Sequence, residues 1–189
     1  MEKYFKLTEE TVTLNDGIVL HRIECTVAIT DKGVNVGDKG GFVEKEDNLS
    51  GNAWVYGNAR VSGNARVSGN ARVSGNAWVS GNAWVYGNAR VSGNAWVSGN
   101  AEVYGDACVC CARRVAWFSV FGSADRTTTA YITKENAVEV VCGCFRGSID
   151  EFEKKIKETH GSSQYAQEYL AMVQMIRIRF QEFTNKAQS

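Results

Sequence analysis

The sequence predicts a mainly β protein. It comprises a parallel β-helix of about four coils, an N-terminal β-hairpin that caps it, and a small C-terminal β-β-β-α-α domain. Residues 50–109 are ten consecutive hexapeptides with valine at every sixth position from 55 to 109. Two apolar-alternating runs flank Asn15-Asp16-Gly17 and read as a hairpin. Ser148-Ile149-Asp150-Glu151 is a capping box that opens a helix with Ile149, Phe152 and Ile156 on one face. These features divide the chain into 1–37, 38–114 and 115–189.

The hairpin spans residues 4–30, with TVTL and IVLHRIECTVAI as its strands. A solenoid leaves unpaired strand edges at its ends, so a covering segment is expected there. His21 lies on this alternating strand and, lacking a partner in the pattern, reads as structural.

From Ser50 the hexads run SGNAWV, YGNARV, SGNARV and onward to YGDACV, with alanine two places before each valine. A six-residue period does not place apolar residues on one helical face. It suits a short strand in which Ala and Val point inward and the alternate residues outward. Gly-Asn makes the corner, since both residues tolerate left-handed backbone angles. Three corners close a triangle, and coils of three hexads stack at roughly 4.8 Å. The frame extends back through Leu49 and Val43.

Stacking every eighteenth residue gives three outward columns. They read Trp54, Arg72, Arg90, Cys108; then Arg60, Trp78, Trp96, Arg114; and Arg66, Trp84, Glu102. Tyr56, Tyr86 and Tyr104 also point outward. Trp over Arg is a favourable cation–π arrangement, and the corner asparagines are expected to form amide ladders. So many aromatics exceed what a solitary rod should expose. They are covered by the chain's own ends or by neighbouring subunits, or they form a stacking surface for a sugar or base. The Trp78/Trp96 strip, with Arg60 and Arg114 at its ends, has the form of an interface; Trp54, Trp84, Tyr56 and Tyr86 are its further candidates.

After Val109 the pattern breaks. VAWFSVF (115–121), TTAYIT (128–133) and AVEVVCGCF (137–145) read as strands, with turns at Gly122-Ser123 and Lys134-Glu135-Asn136. The capped helix stops at His160-Gly161. A second helix runs from about 163 to 183, its apolar stripe formed by Tyr165, Tyr169, Leu170, Val173, Ile176 and Phe180. The domain either caps the rod or is carried by it.

The hexads resemble those of the bacterial hexapeptide-repeat proteins, whose best-known members are left-handed β-helical acyltransferases. That resemblance implies a left-handed coil. GDKGGFVEKEDNLSGNAWVYGNA (37–59), FGS (121–123) and VCGCFRGSIDEFEKKIKETHG (141–161) resemble a group of bacterial and phage proteins that join such a solenoid to this C-terminal domain. The narrower resemblance implies an architecture and a phage or prophage setting, and no reaction.

Lys plus Arg and Asp plus Glu both total 21, so no nucleic-acid signature arises from net charge. Residues 1–49 carry six basic and ten acidic side chains, and residues 50–114 six basic and two acidic. An acidic cap beside a mildly basic rod suggests contact within or between chains. No apolar run approaches the ~20 residues of a membrane span. The first ten residues lack a signal-peptide core, and six cysteines then point to a reducing cytoplasm, that of a bacterial host cell for a phage protein.

The acyltransferase resemblance calls for a histidine base, yet none occurs between His21 and His160 and the hexads contain no inserted loop. His160, contributed across a subunit interface, is the alternative catalytic residue; otherwise the expectation is a non-catalytic binding protein without cofactor. Cys108, Cys110 and Cys111 with Cys142 and Cys144 lack the C-x₂₋₄-C spacing of zinc sites and read as small buried hydrophobes in strands. The turn before the first helix offers a different site. Cys144, Arg146, Ser148 and His160 are candidates for an anionic ligand at a helix N-terminus, beside the plain reading of a strand-to-helix turn. The expected assembly is a homo-oligomer, a trimer by analogy with the hexapeptide family. Its expected partners are a nucleotide or a host protein, in interference with host defence. A purely structural oligomerisation scaffold is the remaining alternative.

Overall fold

The computed structural model describes residues 3–184. Strands β1 (Phe5–Thr13) and β2 (Val19–Cys25) form the antiparallel hairpin, and β3 (Lys39–Val43) pairs antiparallel with β2. The ten hexads each give a two-residue strand. These are β4 (Trp54–Val55), β5 (Arg60–Val61), β6 (Arg66–Val67), β7 (Arg72–Val73) and β8 (Trp78–Val79). They continue as β9 (Trp84–Val85), β10 (Arg90–Val91), β11 (Trp96–Val97), β12 (Glu102–Val103) and β13 (Cys108–Val109). They stack in parallel into three faces, β3-β5-β8-β11, β4-β7-β10-β13 and β6-β9-β12, the last extended by a bridge between Leu49 and Val67. Counting from Val43 to Val109, each face has four levels, giving the four coils that the hexad frame predicts.

Side-chain alternation explains why two residue types suffice inside. Every valine and alanine of the hexads is 0–1% exposed, and together they form one continuous dry core. The backbone is satisfied from coil to coil, as in the Arg72 N–H bond to the Ala89 carbonyl at 2.9 Å. Corners depend on glycine alone. Gly75 has φ +67°, and a Cβ there would lie 3.0 Å from the Gly93 nitrogen in the coil above. Contrary to the sequence expectation, no corner asparagine takes a positive φ. Glycine supplies the reversed angle, in the manner of a type II′ turn. Asparagine supplies cohesion instead: Asn64 donates to Asn82 at 3.3 Å and Asn82 to Asn100 at 3.0 Å. On a second edge Asn70 donates to Asn88 and Asn88 to Asp106, both at 3.4 Å.

Both ends of the coil are closed by the chain itself. At the base, β2 and β3 extend one face of the solenoid, while Phe5, Ile23, Ile29 and Val34 join its core. At the top, the C-terminal domain lies across the last coil. Its sheet runs β14 (Val115–Phe121), β15 (Arg126–Ile132), β16 (Val138–Cys142) and β17 (Phe145–Gly147), antiparallel throughout. The Glu102 N–H bonds the Thr129 hydroxyl at 3.0 Å, Ala107 bridges Thr133, and Tyr131 enters the rod's core. The domain therefore caps the rod.

One strand expected at 137–145 is a hairpin. Gly143, at φ +58°, turns the chain between β16 and β17, so the domain has four strands before its helices α1 (Ile149–His160) and α2 (Gln164–Thr184). The Ser148 box caps α1 as expected. On α2, Tyr169, Val173, Ile176 and Phe180 are buried; Met172 joins them, while Tyr165 is exposed. No described helix is long and apolar enough to cross a membrane.

Candidate functional site

The aromatic columns meet three different fates. Trp54, in the first coil, is 1% exposed: Tyr4 packs against it with ring centroids 6.4 Å apart and donates its hydroxyl to the Ala53 carbonyl at 2.8 Å. The N-terminal segment thus removes Trp54 from the outward face expected of it. Tyr56 is half-buried beside it, its hydroxyl enclosed and without a partner among the described residues.

On the next face, Trp78 and Trp96 stack at 5.9 Å with ring planes 14° apart. Their indole N–H groups donate to serines of the preceding coil on the same face, from Trp78 to Ser62 at 3.0 Å and from Trp96 to Ser80 at 3.2 Å. Trp84 does the same to Ser68 at 3.2 Å. Trp78 is half-covered by the hairpin residues Leu14 and Leu20 and by Phe42, whereas Trp84 and Trp96 remain 42% and 52% exposed. Arg60 pairs directly below Trp78. The expected Trp–Arg cation–π pairs are absent among the described residues; guanidinium groups instead cover Phe42, Phe183 and Tyr104.

Arg114 does not continue this column. The chain leaves the coil after Val109, and Arg114 turns to the Cys108 carbonyl at 3.2 Å, to the Asn136 side chain and over the Phe183 ring. A residue absent from the columns borders Trp96 instead. Trp117 of β14 lies over the Gly99 corner, and with Trp96, Val115, Phe118 and Met175 it borders a groove of about 470 Å³. Arg179 of α2 pins the groove's wall through the carbonyls of Ala112 and Val115. Only its eighteen-residue offset from Gly99 hinted at Trp117, in a stretch where the hexad had already failed.

The third aromatic group joins rod to cap. Trp84 contacts Tyr86, Tyr86 stacks on Tyr104 at 4.6 Å, and the Arg146 guanidinium closes the pile 4.4 Å above the Tyr104 ring. Burial pushes the Tyr86 phenol up to about 12, with the Tyr104 hydroxyl beside it adding to the shift.

Arg146 is thereby committed. It also holds the Glu139 carboxylate with two bonds, of 2.7 and 3.0 Å, which raise its own pKa further. Ser148 caps α1, and the Glu151 carboxylate folds back to accept the Ser148 N–H at 2.7 Å. That bond, with the one from the Ser148 hydroxyl, holds Glu151 below the usual carboxylate range. At the helix N-terminus expected to receive an anion, the Ser148 N–H is taken by the protein's own carboxylate and the Glu151 N–H by the Ser148 hydroxyl. His160 lies at the opposite end of α1, some 18 Å along the axis at about 1.5 Å per residue, stacked on Tyr169 at 5.5 Å. Cys144 is exposed in the β16–β17 turn. The four candidates do not converge.

The cysteines also depart from expectation. Only Cys25 is buried; Cys110 and Cys144 are exposed where the chain leaves the coil or turns, and Cys108, Cys111 and Cys142 are half-buried. No described group of His, Cys, Asp or Glu forms a metal cluster. His21 contacts the Thr8 carbonyl oxygen at 3.2 Å within the hairpin, as a structural residue would.

Four stretches of the coil, residues 53–69, 59–72, 65–81 and 83–99, match the family model of the YdcK beta solenoid repeat. The similarity is to the repeat itself and agrees with the stacked coils. No curated protein sequence matches the chain.

Proposed function

We propose that the protein acts by binding, as a self-associating scaffold, and that copies meet on the Trp78–Trp96 face. The observation that carries this reading is the bonding of the indoles within their own chain. Trp96 spends its only polar hydrogen on Ser80, so its exposed half presents apolar surface with no hydrogen-bonding demand. Such a surface favours close apolar packing over recognition of a hydroxyl-rich ligand. A second copy matches it best, because its faces repeat at the same inter-coil spacing of roughly 4.8 Å, and equal spacings interdigitate in register. The groove beside Trp117 and Met175 extends the same apolar strip towards the cap. A trimer is the arrangement suggested by the hexapeptide-repeat resemblance.

In a phage or prophage setting, such an assembly would interfere with host defence stoichiometrically, by holding a nucleotide signal or blocking a defence protein. Light scattering tests the assembly. Trp96→Ala, whose ring is 52% exposed, should lower the mass towards that of a monomer while the melting temperature of the subunit changes little. Adding Trp78→Ala should complete the shift. A wild type that is already monomeric, or a mass unchanged in both variants, overturns the reading.

A further inference from the structure

The face formed by β4, β7, β10 and β13 carries a second feature. Its register sets Arg72 directly opposite Arg90, the one Arg–Arg pair in the described coil registers. Adjacent parallel strands are about 4.8 Å apart, and like charges placed opposite one another destabilise a sheet. Nothing in the described residues offsets them with a carboxylate. Arg72 donates only to the Asp31 backbone carbonyl, at 3.0 Å, and Arg90 makes no described side-chain hydrogen bond or ion pair. Elsewhere Arg22, Arg113, Arg146 and Arg177 each hold a carboxylate.

The two guanidinium groups line a cleft of about 350 Å³ between the Asp31 turn, the Asn70–Asn88–Asp106 ladder and Lys134. Two carboxylates border it, and each already faces a lysine. Asp106 pairs with Lys134 at 2.8 Å, and Asp31 with Lys32 at 3.2 Å. The Lys134 and Asn88 hydrogen bonds hold Asp106 below the usual carboxylate range, so it stays ionised and keeps its lysine. The arginine pair is left with two positive charges and most of ten N–H donors unused. A planar, forked donor set of this kind suits the oxygens of a phosphate, which accepts bidentate bonds from each guanidinium.

We propose that this cleft binds a phosphate-bearing small molecule, gripped by Arg72 and Arg90 with Lys134 at its rim. The site is independent of the Trp78–Trp96 face, which lies on another side of the triangle. It is also distinct from the turn at Arg146, whose charge is paired with Glu139.

Isothermal titration calorimetry with inorganic phosphate and with adenosine monophosphate, at constant ionic strength, tests the proposal. Arg90→Gln and Arg72→Gln should each weaken binding by about tenfold or more, the scale of a lost charged hydrogen bond. Arg66→Gln removes an arginine that opposes a tryptophan, and should leave binding unchanged. Binding of both probes points to a nucleotide or other phosphomonoester as the source, and binding of phosphate alone to the free ion. Either supports the site. Arg90→Gln should also raise the melting temperature in the absence of ligand, since it removes the like-charge opposition. If Arg72→Gln fails to fold for want of its bond to Asp31, Arg90→Gln decides alone. Absence of heat with both probes, or equal losses in Arg66→Gln, overturns the proposal.

Discussion

Trp54 and Trp96 occupy equivalent places in their hexads, yet one is 1% exposed and the other 52%. What separates them is position: Tyr4 packs over Trp54 in the first coil, whereas Trp96, on another face near the top, borders an open groove. Trp54→Ala should therefore cost about 3–5 kcal/mol in chemical denaturation, the range for emptying a large aromatic site. Trp84→Ala, at a site 42% exposed, should cost clearly less, about 1 kcal/mol. Inside the coil there is no such latitude. Val79 is fully enclosed, and Val79→Asp should abolish folding, because an unpaired buried charge costs several kcal/mol against a total margin of about 5–15. A soluble Val79→Asp protein with native circular dichroism and a cooperative melt would contradict that. The repeat revealed which side chains point outward, but identical hexads carry no mark of level, so the cover over Trp54 and the exposure of Trp96 were not legible.

Among elements, α1 was the most legible, and its cap shows why the ligand candidates beside it were not. The capping box that announced the helix already contained Glu151, whose carboxylate takes the Ser148 N–H while the Ser148 hydroxyl takes the Glu151 N–H, so an anion would have to displace the cap. Ser148→Ala should cost about 1 kcal/mol, seen as a lower melting temperature. Glu151 is shifted downward, so its contribution is complete above the ordinary carboxylate value of 4.5 and is lost as pH falls through its lower folded value. The Ser148→Ala penalty should accordingly shrink in melts taken at progressively lower pH below 4.5. The β16–β17 hairpin escaped the pattern for a different reason. Val138, Val140, Cys142 and Cys144 alternate without a break across a turn that only the backbone angle of Gly143 discloses.

At the scale of the molecule, one core passes from Phe5 through the coils to Tyr131 and Val141, so rod and caps are fastened at both ends. Tyr131 is the pin at the top. Burial, and then the hydrogen bond of its hydroxyl to Glu139 at 2.5 Å, raise its pKa well above the ordinary 10.0. Its stabilising effect is therefore full below pH 10 and declines as pH rises, because the unfolded phenol ionises first. Urea midpoints measured from pH 8 to 11 should fall less steeply in Tyr131→Phe than in wild type. Between the two fastenings, the glycine corners and asparagine ladders repeat with a period of one coil, and this makes length a quantised property. Excising residues 74–91 would bring Ser92 into the place of Ser74, keep every column in phase and return the cap to the same side, shortened by roughly 4.8 Å. Excising a single hexad would turn the cap by a third of a revolution and set β15 over the wrong face. A gene for this rod can gain or lose DNA in steps of fifty-four base pairs and still encode a working ruler, whereas steps of eighteen would misalign its two ends.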